Sequence, residues 1–346
     1  MGQQDNICEC FACDIPSLDT IKIKRRNGEF IKENGAVFNC LQQQMEVTSL
    51  GGNHCVIKIR DNAEILRPIQ IINLLDGEKN ENISSEVTIV AGENSKVTFL
   101  YCDDTLPKTE VSLTNTINVK LNSYSAVEFY KMENVNNATR VSSSLVFDSE
   151  SQSNLKTFFI TLNGGHLKNN ICVNFNGEHA LADLNGLYLM DRQQSVETQM
   201  RVNHYKNSCR SIQLFKGILD DEAKADFLGH ILVDYNAQGN DARQTNNNIL
   251  LTDKAKVNTR PVLEIYNDDV QCSHGATTGQ LDEQALYYLQ SRGISKKQAK
   301  MLLMNAFCQS VIAKSGIEEL KNGLSELIQK RLDGGLSMEN PFKIQL

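Results

Sequence analysis

With 346 residues, 40% of them hydrophobic and 22% charged, the chain can bury a large core, and one big domain plus a smaller one is expected. A net charge of −7 argues against a nucleic-acid binder, whose phosphate contacts need a basic face. No apolar run approaches the roughly 18–20 residues of a membrane span, so neither nucleic acid nor membrane is expected as a partner.

The opening stretch, Met1 to Asp14, is polar and lacks the charged-then-apolar order of a signal peptide. It carries Cys8, Cys10 and Cys13, a C-x-C-x-x-C spacing compatible with metal binding but short of the four ligands of a structural site. The chain's 10 cysteines are too sparse for a disulfide scaffold, so reduced thiols and a cytoplasmic location are expected.

From about Thr20 to Gln271 the sequence is a succession of short β-like runs. They include CVIKIR (55–60), IQIINLL (69–75), EVTIVAG (86–92), KVTFLYC (96–102) and NTINVKL (115–121). SAVEFYKM (125–132), NLKTFFITL (154–162), ICVNFNG (171–177) and GHILVDY (229–235) continue the series. Many alternate apolar with polar, as a strand with one buried face does, and Asn, Gly, Asp and Ser supply the turns between them. No amphipathic helix interrupts. A sandwich of that size would be unusually large, and many short strands with Asn- and Gly-rich corners suit a solenoid better. The stretch DGEKNENISSE (76–86) reads as a solvated corner loop.

The chain then changes character. Val262, Leu263 and Ile265 lead to Asp268 and Asp269, then Cys272 and His274, then a Gly-Ala-Thr-Thr-Gly segment that reads as a turn. If the chain is extended there, Cys272 and His274 point to one side, and both suit iron, zinc or copper(I). Two ligands do not complete a site. Asp268 and Asp269 are better explained as turn formers beside Asn267 than as a catalytic pair.

Three helices follow. Asp282 is an N-cap for a helix through Ser291 that Gly293 ends. Ser295 and Gln298 form a capping box for a second helix to about Lys314, with Ala299, Leu302, Leu303, Ala306, Phe307 and Ile312 as its apolar positions. A third runs from Ile317 to Leu332 with Leu320, Leu324, Leu327, Ile328 and Leu332 on one stripe. Such a small bundle is expected to pack on the β body or on a partner. His54, His166, His179, His204 and His230 are scattered and read as core or surface residues. Nucleotide-binding and nucleophile-elbow motifs are absent.

The stretch RPVLEIYNDDVQCSHGATTGQLDEQALYYLQSRGI (260–294) resembles the SufD branch of the SufB/SufD family of iron–sulfur cluster assembly proteins. LNGLYL (184–189), SCRSIQLFKGIL (208–219) and AQGNDARQTNNNILL (237–251) fit the same branch. SufB members have EHEAT where this chain has SHGAT, and they carry a cysteine in the segment before it, whereas Gln238 to Gln271 contains none. The family commonly opens with a long helical region, most of which this chain lacks. Asn267 and Gln271 stand where alanine and lysine are frequent, and Gly239 stands where lysine is.

The resemblance implies a right-handed parallel β-helix over residues 31–275, a short N-terminal segment over 1–30 and a helical domain over 276–346. It implies a non-enzymatic scaffold that pairs with SufB through the β-helix and binds the ATPase SufC through the helices. Asp282, Tyr287, Tyr288, Arg292 and Phe307 are then the candidates for contact with SufC. His274, with Cys272 second, is implied as a transient ligand for iron or a nascent cluster at the SufB interface, with no stably bound cofactor. An isolated chain is expected to form a homodimer through the same face. The alternatives are a polysaccharide-active β-solenoid enzyme, disfavoured by 6% aromatics and no tryptophan, and an autonomous metal-binding module.

Overall fold

The computed structural model describes residues 18–31, 43–77, 81–106 and 108–333, so Cys8, Cys10 and Cys13 lie outside the described residues. Alternation writes the strands. In VSLTNTINVKL, Val111, Leu113, Asn115, Ile117, Val119 and Leu121 are buried, while the residues between them face outward.

The strands form two sheets. The first contains β1 (Ile21–Arg26), β2 (Glu29–Phe30), β5 (Ile69–Leu75), β7 (Lys96–Thr105), β9 (Ala126–Asn134), β11 (Asn154–Asn163), β13 (Leu181–Met190), β15 (Arg210–Leu219), β17 (Asn240–Leu250) and β19 (Val270–Gly279). The second contains β3 (Met45–Ser49), β4 (His54–Ile59), β6 (Glu81–Ala91), β8 (Val111–Leu121), β10 (Arg140–Ser149), β12 (His166–Phe175), β14 (Ser195–His204), β16 (Lys224–Val233) and β18 (Lys256–Ile265). From β4 onward the chain alternates between sheets, and each strand pairs in parallel with the strand two positions away. This is a parallel β-solenoid, and the sandwich is excluded. One turn advances 26 residues from Arg140 to His166 but 32 from Lys224 to Lys256, which is why no clean repeat shows in the sequence.

The turns are unequal, yet one corner is repeated. Asn94, Tyr124, Gln152, His179 and Ser208 stack there with φ between 54° and 63°, and Gly239 continues the row at 68°. Each donates its backbone N–H to the next turn: Tyr124 to Ser151, Gln152 to Glu178, His179 to Asn207, Ser208 to Gln238 and Gly239 to Asp269. The segment read as a loop at 76–86 is partly strand, because Ile83 and Ser85 turn inward within β6.

The lumen is apolar along most of its length, with Phe99, Phe129, Phe147, Phe159, Phe215 and Phe227 among its fillers. Across it runs a buried ionic network. Lys131 is bonded to Glu133 and lies 3.6 Å from Asp103, all three almost fully buried. Asp103 accepts from Asn73 at 3.0 Å and from Asn115 at 2.9 Å, and Glu133 accepts from Thr161 at 2.8 Å and Asn169 at 3.2 Å. Burial alone would push the Lys131 ammonium down, but Glu133 and Asp103 outweigh it and hold it up.

Three helices close the chain: α1 (Glu283–Ser291), α2 (Lys296–Ile312) and α3 (Glu318–Asp333). Asp282 caps α1, the Ser295–Gln298 capping box opens α2, and Gly293 sits between them at φ 85°. The buried face of α2 is Ala299, Met304, Cys308, Val311 and Ile312. Leu302 and Ala306, expected in that stripe, face outward. Met304, Cys308, Val311 and Ile312 join Leu320, Leu324, Ile328 and Leu332 of α3 against the outer face of the first sheet, on Leu100, Tyr130, Met132, Phe158, Ile160 and Leu187. Polar latches hold the contact: Lys314 to Asp183 at 2.9 Å, the Gly316 N–H to Glu128 at 3.0 Å, and buried Arg331 to Asp191.

Candidate functional site

The solenoid ends abruptly. Among the described residues, β18 and β19 are the outermost strands of their sheets, and each is paired on one side only. Val262, Ile265 and Tyr266 are left 40–43% exposed at this end. The Gly275–Gly279 segment, expected as a turn, is the second half of β19 and continues the pairing to Ile249. Its composition reads as a turn because an edge strand open on both faces carries no hydrophobic alternation.

Both candidate ligands stand on this last strand. Cys272 pairs with Ala242 and His274 with Gln244, so the two side chains lie on one face as the extended backbone requires. Their surroundings differ. Cys272 is half-buried against Ile231, Val233, Ala237 and Ala242, and burial pushes its thiol pKa up, away from the thiolate that binds metal. His274 is exposed. Among the described residues, no three His, Cys, Asp or Glu side chains gather into a metal site. Asp268 and Asp269 sit in the β18–β19 connection, where the Asp269 N–H donates to Asn267 Oδ1 at 2.9 Å as a turn former.

The remaining histidines are absorbed by the fold. His204 is buried between Asn240 Oδ1 and Ser211 Oγ, each at 2.9 Å. His230 accepts from Arg201 Nε at 3.1 Å and donates to Glu264 at 2.9 Å. His54 and His166 meet Thr88 and Ser195 on neighbouring strands, and His179 occupies the repeated corner.

Of the residues expected at the helical surface, Tyr287 and Tyr288 stand 75% and 56% exposed on α1, with Arg292 stacked 5.2 Å over the Tyr288 ring. Asp282 is spent on the cap, accepting from the N–H groups of Gln284 and Ala285. Phe307 is turned toward the solenoid, where Lys216 Nζ lies 4.2 Å from its ring centroid and donates to its carbonyl oxygen at 3.2 Å.

The sequence model described as "SUF system FeS cluster assembly, SufBD core domain" matches residues 73–307, more than half of the chain. The chain belongs to the SufBD family. Within it, the chain is 38% identical over 174 residues to the iron–sulfur cluster assembly protein SufD of Escherichia coli, covering 50% of this chain and 41% of that protein. It is 32% identical over 186 residues to a SufBD family protein of Mycobacterium leprae, covering 51% and 47%. It is 25% identical over 276 residues to SufD of Bacillus subtilis, covering 78% and 62%. The matches thus span between two fifths and two thirds of these relatives. A role in the Suf system and a SufD-like character follow from this membership. No described helix is long and apolar enough to cross a membrane.

One feature of the site and one of the lumen were invisible in the sequence. Gln213 and Gln244 read as ordinary polar residues of strands, and only the register places them in one row with His274. Lys131 and Glu133 sit in SAVEFYKMEN, where two charges at a strand end look like a solvated terminus.

Proposed function

We propose that this chain is a scaffold subunit for iron–sulfur cluster assembly, with its unfinished solenoid end as the working surface. One observation carries the reading: the outermost strand has a free pairing edge and presents an exposed imidazole, His274, with Cys272 beside it. A bare parallel edge is a template for another chain's strand, and a SufB-type subunit would complete both the sheet and the ligand set. Iron or a nascent cluster is the cargo. His274 offers a nitrogen donor suited to it, and Cys272 is the lesser donor because burial pushes its thiol pKa up.

The helices are the second contact. Tyr287, Tyr288 and Arg292 form an exposed aromatic and cationic patch of the type that anchors protein partners, and a SufC-type ATPase would dock there. Asp282 supports this surface by starting α1, and Phe307 supports it by fixing α2 to the solenoid. The latches between helices and sheet would transmit motion of a bound ATPase to the solenoid.

The test is a His274→Ala chain combined with SufB and SufC. The variant should fold and assemble as the parent does, while the yield of cluster in the complex collapses. An undiminished yield would remove His274 from the reaction.

A further inference from the structure

Behind His274 lies a row of amides with nothing to bond. Gln213, Gln244 and His274 occupy the same register position on β15, β17 and β19, so their side chains project from one face on neighbouring parallel strands. Adjacent members are about 4.8 Å apart across the sheet. Gln213 and Gln244 are 1% and 2% exposed, yet among the described residues neither the Nε2 nor the Oε1 of either has a hydrogen-bond partner. Buried amides are almost always satisfied, so two complete orphans in one row mark a place where a partner belongs. Gly229 on the facing sheet leaves room for this: a Cβ there would lie 1.8 Å from Gln244 Nε2.

We propose that Gln244 is a positioning residue for His274, its Oε1 accepting the inward N–H of the imidazole. This rests on His274 being the ligand assigned above. The consequence is chemical. A neutral imidazole carries one N–H and one lone pair, and fixing the N–H inward leaves the lone pair on the outer nitrogen. That nitrogen faces the open end, where a metal-bearing partner arrives. Histidines that bind metals are commonly oriented in this way by an acceptor on their other nitrogen. Cys272 has no such acceptor on the adjacent strand, because its row neighbour there is Ala242, with Ser211 beyond it.

The experiment is 15N NMR of the imidazole of the whole chain, alone and with a SufB-type partner, which reads the tautomer without any cluster chemistry. The parent should hold His274 in one tautomer in the complex. Gln244→Met, which keeps length but replaces the acceptor oxygen with a thioether that accepts only weakly, should return the ring to the mixture of an unrestrained imidazole. Gln244→Glu restores an acceptor oxygen and should restore the single tautomer. Gln213→Met, one strand farther from the ring, should leave it unchanged. Identical tautomer ratios in the parent and Gln244→Met overturn the proposal, and so does a change with Gln213→Met as large as with Gln244→Met. Should Gln244→Met fail to fold, a mixed tautomer in the parent complex itself would overturn it. If the tautomer responds as expected while His274→Ala leaves cluster yield intact, the positioning stands and the assignment of His274 to cluster assembly falls.

Discussion

Arg331, near the end of the last helix, reaches the solenoid and faces Asp191 with both terminal nitrogens, at 3.1 and 3.2 Å from its carboxylate oxygens. Its Nε also donates to the carbonyl of Leu162 at 3.0 Å, and neither charged side chain is more than 1% exposed. Removing one partner of a buried pair leaves the other charge stranded, at a cost of about 3–5 kcal/mol. Arg331→Ala should therefore loosen α2 and α3 from the first sheet while the solenoid stays intact. Limited proteolysis checks this: cleavage should appear in the helices first. Parent-like resistance would show that the apolar contact alone holds them.

The lumenal network makes a second, separable demand. Lys131→Met removes the only cation beside Asp103 and Glu133 among the described residues and leaves two carboxylates in the core. A loss of about 3–5 kcal/mol is expected in urea unfolding. A replacement that removes all three charges, with Asp103→Asn and Glu133→Gln added, should recover much of that loss. A triple variant no better than Lys131→Met would argue against charge as the cause.

His204 links stability to pH. Burial lowers its pKa from 6.5 to about 4, against the hydrogen bond to Asn240 and the charge of Asp241. Between those values the unfolded chain binds a proton that the folded chain refuses. The stabilisation is complete above pH 6.5 and is lost as the pH falls toward 4, amounting to about 3 kcal/mol. Asp191 acts in the opposite sense, because burial raises its carboxyl to about 6 and folding there favours the protonated form. The parent and a His204→Gln variant share Asp191, so comparing them isolates the histidine. The parent should lose about 3 kcal/mol more than the variant between pH 7 and pH 4. Parallel pH profiles would contradict this.

Ser208 tests the repeated corner. Its side chain is exposed, so most replacements there should be neutral, but its φ of 58° is left-handed. Ser208→Gly should be neutral or slightly stabilising. Ser208→Val should cost about 1–2 kcal/mol, since a β-branched residue is poorly tolerated at positive φ. Equal denaturation midpoints for the two variants would mean the corner relaxes.

The fold was legible where burial writes alternation into the chain. Val111 to Leu121 shows it plainly, and so do the cap at Asp282 and the box at Ser295. It was illegible where burial is not apolar. RVSSSLVFDS places Ser143 in the lumen, and SVETQMRVNH places Thr198 and His204 there, so β10 and β14 lack a hydrophobic signature. The stripe on α2 was misplaced because Leu302 and Ala306 fit helical spacing as well as Met304 and Cys308 do. Only the sheet beneath decides which face is buried. At the site, Cys272 and His274 stood out as residue types. Gln244 did not, because its significance is a neighbour 30 residues away, and an uneven turn length hides that adjacency.

The unfinished end also bears on how much of this protein a cell can hold. A copy without its complement carries a row of unsatisfied backbone groups beside exposed Val262, Ile265 and Tyr266, and a parallel stack of strands can in principle lengthen one molecule at a time. Surplus copies thus have each other as the nearest remedy. On the pairing proposed above, synthesis in step with the completing subunit, or sequestration as a closed pair, becomes a condition of solubility as much as of activity.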